Sequence, residues 1–146
     1  MTVTDAPTLK KRERISSKKT IDRLFGGGHS KSMSAFPLRV VYAIQERSSK
    51  EAEVAMMVGV PKRLFKSAVK RNRVKRQVRE GYRLNKHLLE TVEKELLSSN
   101  KQLLIAFIWT DDKLHPSAEV HKKVRSLMEH IAERIVKRKT KTNEQP

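Results

Sequence analysis

The 146-residue chain has no cysteine and no long hydrophobic run, and each absence excludes a class of protein. Without cysteine it can form neither disulfides nor a thiolate metal site, so zinc fingers and zinc ribbons are excluded. The longest apolar run, residues 103–109, is too short to span a bilayer, and residues 1–10 lack the features of a secretory signal. We therefore expect a cytoplasmic protein without a membrane partner.

Acidic residues are also scarce, since 16 Asp and Glu stand against 33 Lys and Arg, giving a formal charge of +17. Such an excess of positive charge indicates a polyanionic partner, with nucleic acid as the leading candidate. Hydrophobic residues still make up 37% of the chain, enough for a folded core. The length corresponds to one domain with short tails.

The positive charge is concentrated in three segments. Residues 62–83 contain ten Lys and Arg but one acid, whereas residues 8–20 and 134–141 each carry a net charge of +5. Residues 84–133 are nearly neutral, with seven basic and eight acidic side chains. Binding of a polyanion should therefore be localised, with the segment 62–83 at its centre.

Hydrophobic periodicity predicts an α+β protein, a two-layer α/β sandwich with a sheet of about four strands and three or more helices. The predicted order is α-β-β-β-α-β-α, although the stretch before residue 36 could hold an edge strand or none. Residues 53–60 and 103–109 are apolar on both faces, which predicts interior strands. We expect a flexible basic arm at residues 1–14, one domain at 15–138 and a flexible basic tail at 139–146.

Residues 67–83, SAVKRNRVKRQVREGYR, predict a helix whose basic side chains recur at intervals of three and four. A row of guanidinium groups on one helical face can bind successive phosphates. Arg71 and Lys75 fall inside the apolar arc, and we interpret them as functional departures from the helical pattern. The alternative interpretation is a solvated basic face or a nuclear address.

This helix resembles the RNR motif of the protein subunit of bacterial ribonuclease P. The resemblance rests on Arg71-Asn72-Arg73, followed by Lys75-Arg76 and Arg79-Glu80. It extends over about residues 14–136, because a helix ending in Phe25 and glycine precedes the motif and the LLIAFIW strand follows it.

The resemblance implies a four-stranded sandwich with a left-handed βαβ crossover. It implies that a large RNA subunit holds the Mg²⁺ ions and cleaves precursor tRNA to give the mature 5′ end, so that the protein has no catalytic and no metal-binding residues of its own. It requires no obligate protein partner. The residues expected to face the catalytic RNA are Arg71, Asn72, Arg73, Lys75, Arg76 and Arg79.

The resemblance further implies a cleft between the first helix and the sheet that binds the single-stranded 5′ leader of precursor tRNA. Aromatic stacking and phosphate contacts hold such strands. Ile21 stands where the family often has an aromatic residue, which favours apolar packing against a base. Phe25 and Tyr42 could instead be core aromatics. The residues expected in this cleft are Phe25, Tyr42, Ile21, Lys62 and Arg63.

Three other functions are compatible with parts of the sequence. Asp111, Asp112 and His115 could hold a metal in an independent nuclease, but they more simply form a polar loop before a helix. A structural RNA-binding protein of the ribosomal type would share the size and charge. A DNA-binding domain with the basic helix in the major groove would do so too, although the arginines span the whole helix.

Overall fold

The computed structural model describes residues 9–26, 28–48 and 50–144, with side chains as far as residue 136. After a short 3-10 turn at Lys11–Glu13, this part of the chain forms four helices and four strands. The helices are α1 (Lys18–Gly26), α2 (Ala68–Leu84), α3 (Glu90–Ser99) and α4 (Ser117–Glu144). The strands are β1 (Lys31–Ala35), β2 (Leu38–Glu46), β3 (Val54–Gly59) and β4 (Lys101–Trp109).

The four strands form one mixed sheet in the order β1-β2-β4-β3. The β1-β2 and β2-β4 pairs are antiparallel, whereas β3 and β4 are parallel and are joined through α2 and α3. The α+β sandwich predicted from the sequence is therefore confirmed, with α3 as an additional helix. The left-handed crossover remains an expectation drawn from the resemblance.

The prediction that residues 103–109 form a central strand is confirmed, but the prediction of an interior strand at 53–60 is wrong. β3 lies at the edge of the sheet, and beyond β4 its only described β-partner is an isolated bridge between Met56 and Arg14. Its side chains are apolar on both faces because each face of the sheet is covered, a pattern that sequence alone does not distinguish from a central position. Residues 31–35, left open by the sequence, form the opposite edge.

Helices cover the two faces of the sheet unequally. On one face α2, α3 and α4 pack over the main core, which includes Ile105, Phe107 and Trp109 of β4. On the other face the nine-residue α1 buries only Leu24, against Val41, Ala55, Leu104 and Ala106. Because α1 is so short, the residues around this second cluster stay partly exposed.

The basic helix and the following apolar stripe are separate helices. Asn85 ends α2, and its Nδ2 donates a hydrogen bond to the Gly81 carbonyl at 2.7 Å. A 3-10 turn at Lys86–Leu89 then leads into α3, which ends at Asn100 in the left-handed conformation. The break near residues 85–87, one of two possibilities left by the sequence, is thus the one observed.

The structure describes parts of the predicted arm and tail, whose boundaries stay predictions. Residues 1–8 of the predicted arm lie outside the described residues, whereas Ile15 N donates to the Met56 carbonyl at 2.8 Å and Glu13 pairs with Lys86. These contacts attach the last residues of the arm to the domain. At the other end α4 continues to Glu144, through most of the predicted tail.

No helix in the described part of the chain has the length and hydropathy of a membrane span.

Candidate nucleic-acid interface

The basic helix α2 is anchored by its buried face and presents the opposite face to solvent. Ser67 caps its first turn, accepting a hydrogen bond from Lys70 N, as expected of serine at this position. Val74, Val78 and Tyr82 are buried against the main core. Because these residues recur at four-residue spacing, the remaining positions form one continuous outer face.

The outer face of α2 carries lysine and arginine side chains that pair with no carboxylate among the residues that the structure describes. Glu80, the one acid of this helix, pairs with Arg83 at 2.5 Å. The hydrogen bond from Arg83 holds the pKa of Glu80 below its ordinary value, so Glu80 remains ionised and committed to that arginine. Four residues of the outer face are exposed and two are half-buried. We call these six residues, Lys70, Asn72, Arg73, Lys75, Arg76 and Arg79, the α2 surface.

Arg71 does not belong to this surface in the same way. Its Nη1 donates to the carbonyls of Phe65 and Lys66 at 2.7 and 2.9 Å, in the loop that joins β3 to α2. These bonds give Arg71 a structural role, and its predicted place at the RNA interface stays a prediction. The guanidinium sits within the apolar arc because it closes this loop. Lys75, the other misfit, is half-buried at the margin of the arc.

The face of the sheet beneath α1, where the leader cleft was predicted, carries the second hydrophobic cluster, and Tyr42 does not lie on it. Tyr42 is 4% exposed and belongs to the main core on the opposite face. Its neighbours Val41 and Ala43 face α1, because successive side chains of a strand point to opposite faces. The expected place of Tyr42 in the leader cleft is therefore wrong by one residue, and Tyr42 is a core aromatic. Phe25 is 48% exposed on α1 and is not a core aromatic.

The remaining predicted cleft residues lie on accessible surface. Ile21 is half-buried on α1, while Lys62 and Arg63 are exposed in the loop after β3. That loop follows β3, the strand that carries Met57, and leads into α2.

Three residues of this face were missed by sequence reasoning. Met57 and Ile108 are half-buried around the second cluster, and Arg39 is exposed beside Ile108 in the β2-β4 ladder. Together they offer an apolar floor and a cation. The alternation of side chains along β2 already indicated that Arg39 and Tyr42 point to opposite faces of the sheet. Which of the two faces lies beneath α1 could be decided only from the fold.

The orientation of α1 is fixed by a chain of side-chain hydrogen bonds. Arg23 Nη1 donates to Gln45 Oε1 at 3.2 Å, and Gln45 Nε2 donates to Gln102 Oε1 at 3.0 Å. Gln102, which is buried, in turn donates to the Ala52 carbonyl. These bonds tie α1 to the end of the sheet opposite Lys62 and Arg63.

The polar loop after β4 is a structural cluster. His115 Nε2 lies 2.7 Å from Asp111 Oδ2, and His115 Nδ1 lies 3.3 Å from Glu119 Oε1. The hydrogen bond from His115 holds the pKa of Asp111 below its ordinary value. Gln77 Nε2 of α2 donates to the His115 carbonyl and to Ser117 Oγ, both at 3.0 Å. Both ring nitrogens of His115 thus face carboxylates, and the hydrogen bonds from Gln77 attach the loop to α2.

Within the residues described above, no three histidine or carboxylate side chains converge as they would around a metal ion. These residues therefore do not fit a Mg²⁺ site. The candidate nuclease site at Asp111, Asp112 and His115 contributes a single imidazole already held between two carboxylates.

Comparison with known proteins agrees with this architecture. A family model for Ribonuclease P matches residues 9–132. Ribonuclease P protein components from two strains of Porphyromonas gingivalis are each 40% identical to this chain. The alignment with the W83 protein covers 89% of this chain and 92% of that protein. The alignment with the ATCC 33277 protein covers 85% of this chain and 86% of that protein.

Solved structures show the same fold at lower sequence identity. The RNase P protein from Thermotoga maritima has a TM-score of 0.61 at 20% identity, over 81% of this chain and 96% of that one. The Staphylococcus aureus RNase P protein has a TM-score of 0.57 at 18% identity, and the match covers 82% of this chain and 94% of that one. At these identities the likeness concerns the fold alone. The family match and the 40% identical relatives show that this chain belongs to the ribonuclease P protein family.

Proposed function

We propose that this chain is the protein subunit of a ribonuclease P ribonucleoprotein and promotes removal of the 5′ leader from precursor tRNA. The observation that carries the proposal is the α2 surface, a set of basic side chains on one helix for which the described part of the chain supplies no carboxylate partner. In this proposal the α2 surface binds the catalytic RNA. The cytoplasmic location remains a prediction from the sequence.

The cleft beneath α1 is the proposed site of the leader. A single strand of RNA is held by contacts of its bases with apolar or aromatic side chains and of its phosphates with cations. Phe25 and Ile21 on the helix, and Met57 and Ile108 on the sheet, supply the apolar surfaces. Arg39, Lys62 and Arg63 supply the cations at the margins.

The contribution of the protein to the reaction is electrostatic. Catalytic RNA and precursor are both polyanions, so their association is opposed by phosphate repulsion, which a protein of charge +17 bound to both reduces. The same neutralisation lowers the Mg²⁺ concentration that the complex requires. The Mg²⁺ ions, held mainly by the RNA subunit, supply the chemistry of phosphodiester hydrolysis. In this proposal the protein binds the catalytic RNA and the precursor and orients them relative to each other.

Cleavage of a precursor tRNA at low Mg²⁺ by a bacterial ribonuclease P RNA, with and without this protein, tests the proposal. We expect strong stimulation by the wild-type protein and little by Arg76→Glu, whose side chain is exposed in the α2 surface. Arg125→Glu is the matched control, because it makes the same charge change on the exposed side of α4, where Arg125 pairs with Glu129.

Binding measurements identify the step that fails. Reversal of Arg76 should weaken affinity for the RNA subunit by roughly tenfold to a hundredfold, the value of one charged hydrogen bond. The log–log salt slope should fall by about 0.7–0.9 for each phosphate that the variant no longer binds. Tight RNA binding without stimulated cleavage would instead indicate a structural RNA-binding protein and contradict the proposal.

A further inference from the structure

Phe36 is an exposed aromatic side chain that the proposed function does not use. Five of the seven aromatic residues are buried, whereas Phe25 and Phe36 are 48% and 63% exposed. Phe25 lies on α1, in the proposed leader cleft. Phe36 lies in the turn between β1 and β2. It is thus the one exposed aromatic residue of the chain without an assigned role.

The ring of Phe36 is held on the side of the sheet that α2 and α4 cover. It forms a T-shaped contact with the ring of His115, with centroids 6.0 Å apart, and His115 forms another with the buried Trp109, at 5.4 Å. The turn is fixed as well, since Thr110 N and Oγ1 both donate to the Pro37 carbonyl, at 2.9 and 3.0 Å. Because Trp109 belongs to the main core, Phe36 does not lie beneath α1.

His115 also connects Phe36 to the basic helix. The His115 carbonyl accepts a hydrogen bond from Gln77 Nε2 at 3.0 Å. Arg73 lies one helical turn before Gln77, and Lys70 two turns before it, so both cations lie on the flank of α2 that faces this loop. Both are exposed, and neither pairs with a carboxylate among the described residues. Two contacts therefore join Phe36 to the flank of the α2 surface that carries Arg73.

The charges near the ring of Phe36 differ in sign from those on α2. Asp111 Oδ2 and Glu119 Oε1 lie 2.7 and 3.3 Å from the two ring nitrogens of His115. Carboxylates repel phosphate, whereas the cations of α2 attract it. A nucleotide bound here would therefore direct its phosphate toward Arg73 and its base toward Phe36. Unpaired nucleotides are held in this way, by stacking of the base on an aromatic ring and by contacts of the phosphate with cations.

We propose that Phe36 stacks on an unpaired base of the catalytic RNA, beside the phosphates that the α2 surface binds. The inference rests on the proposed function and extends it, because it adds a contact with a base to an interface made of charges. The base belongs to the RNA subunit and not to the leader. The ring lies on the side of the sheet that α2 covers, whereas the leader cleft lies beneath α1 on the opposite face.

The affinity of Phe36 variants for a bacterial ribonuclease P RNA, measured without precursor, tests the proposal. Phe36→Leu keeps an apolar side chain but removes the flat ring, and it should weaken binding roughly fivefold to a hundredfold. Phe36→Tyr should bind as tightly as wild type, because stacking needs only the aromatic face. Wild-type affinity in Phe36→Leu would overturn the proposal, and so would an equal loss in both variants.

The salt dependence of binding distinguishes stacking from an indirect effect on the cations of α2. Stacking of a base releases no counterions, so the log–log salt slope of Phe36→Leu should equal that of wild type. Arg73→Ala should lower the slope by about 0.7–0.9 for a lost phosphate contact. A lower slope in Phe36→Leu would mean that this variant acts by displacing the α2 surface, and the proposal would be wrong.

Leu97→Ala is the matched control, because Leu97 is an exposed apolar side chain on α3, at 56%. An equal loss of affinity in Leu97→Ala would mean that exposed apolar surface assists binding in general, which would refute stacking at Phe36. The preference of the holoenzyme for precursor over mature tRNA should be unchanged in Phe36→Leu. A loss of that preference with unchanged affinity for the RNA subunit would assign the ring to the leader and overturn the proposal.

Arg76→Glu in the same assay separates the two proposals. If it leaves RNA affinity unchanged, the proposed function fails. If it weakens binding while Phe36→Leu does not, the α2 surface binds RNA and only the stacking of Phe36 is refuted.

Discussion

Gly81 of α2 lies directly against His121 of α4, so that a β-carbon at Gly81 would stand 3.3 Å from the His121 Cα and 3.2 Å from its Cδ2. The missing side chain lets the two helices approach closely. This contact, together with the bonds from Gln77 to the loop before α4, sets the position of α2 relative to the sheet. The close approach is therefore a condition for the placement of the α2 surface.

Gly81→Ala should destabilise the protein despite the better helix propensity of alanine. The propensity gain is about 1 kcal/mol, whereas overpacking against a helix backbone typically costs about 1–3 kcal/mol. We expect a net loss on the order of 1 kcal/mol in urea unfolding. Gly59→Ala is the control, because its β-carbon meets only the flexible end of Ile108. Equal effects would show that the α2–α4 contact can relax.

The two arginines of the RNR motif should differ in what their removal changes. Arg71→Ala removes two hydrogen bonds to loop carbonyls and should lower the free energy of unfolding by roughly 1–2 kcal/mol. Arg73→Ala, at an exposed position, should change it by less than about 0.5 kcal/mol while weakening RNA binding. Chemical denaturation and RNA affinity measured on the same preparations check this. An unchanged stability of Arg71→Ala would contradict the structural role.

Substitutions of Phe25 and Tyr42 should have different effects on the preference for precursor over mature tRNA. Phe25→Ala should reduce the preference of the holoenzyme for precursor over mature tRNA, by about 1–3 kcal/mol if a base stacks on the ring. Tyr42→Phe should leave that preference unchanged, because Tyr42 faces the main core. Its hydroxyl is buried without a hydrogen-bond partner among the described residues, so its removal should be neutral or stabilising by about 1 kcal/mol.

Equal affinities of the wild-type holoenzyme for precursor and mature tRNA would contradict the leader cleft altogether. A loss of preference in Tyr42→Phe, without a loss of stability, would contradict the assignment of its side chain to the core.

Glu93 on α3 should make stability depend on pH. Burial raises the pKa of Glu93, with smaller contributions from Glu53 and Glu13, although Lys86 acts in the opposite direction. Because the folded-state pKa is the higher one, the favourable contribution of Glu93 is complete below the ordinary pKa of a glutamate. It is lost as the pH rises through the raised value.

Glu93→Gln should therefore gain thermal stability relative to wild type as the pH is increased from about 4 to 7. Melting curves at several pH values check the difference between the two proteins. Glu90→Gln, exposed on the same helix, should show the same trend more weakly, because Glu90 makes only a minor contribution to the raised pKa of Glu93. The opposite trend in Glu93→Gln would mean that the positive charge of Lys86 outweighs the burial of Glu93.

The family and the fold class could be predicted because they depend on local patterns. The spacing of Arg71, Asn72, Arg73 and Arg76 on one helix and the apolar stripe of α4 are both recorded in the order of residues. The comparisons confirmed the family and the architecture. The roles given to individual residues of the α2 surface and the leader cleft stay predictions.

The charge, the basic helix, the buried strand β4 and the family could all be read from the order of residues, since composition and helical period need no long-range contact. The face of the sheet that each strand residue occupies became clear only from the folded structure. A shift of one position along β2 would place Val41 in the main core and Tyr42 beneath α1. Packing against helices that are distant in sequence decides between these two arrangements. It also decided that Arg71 closes a loop and that Glu13 pairs with Lys86, because these contacts join segments that share no periodicity.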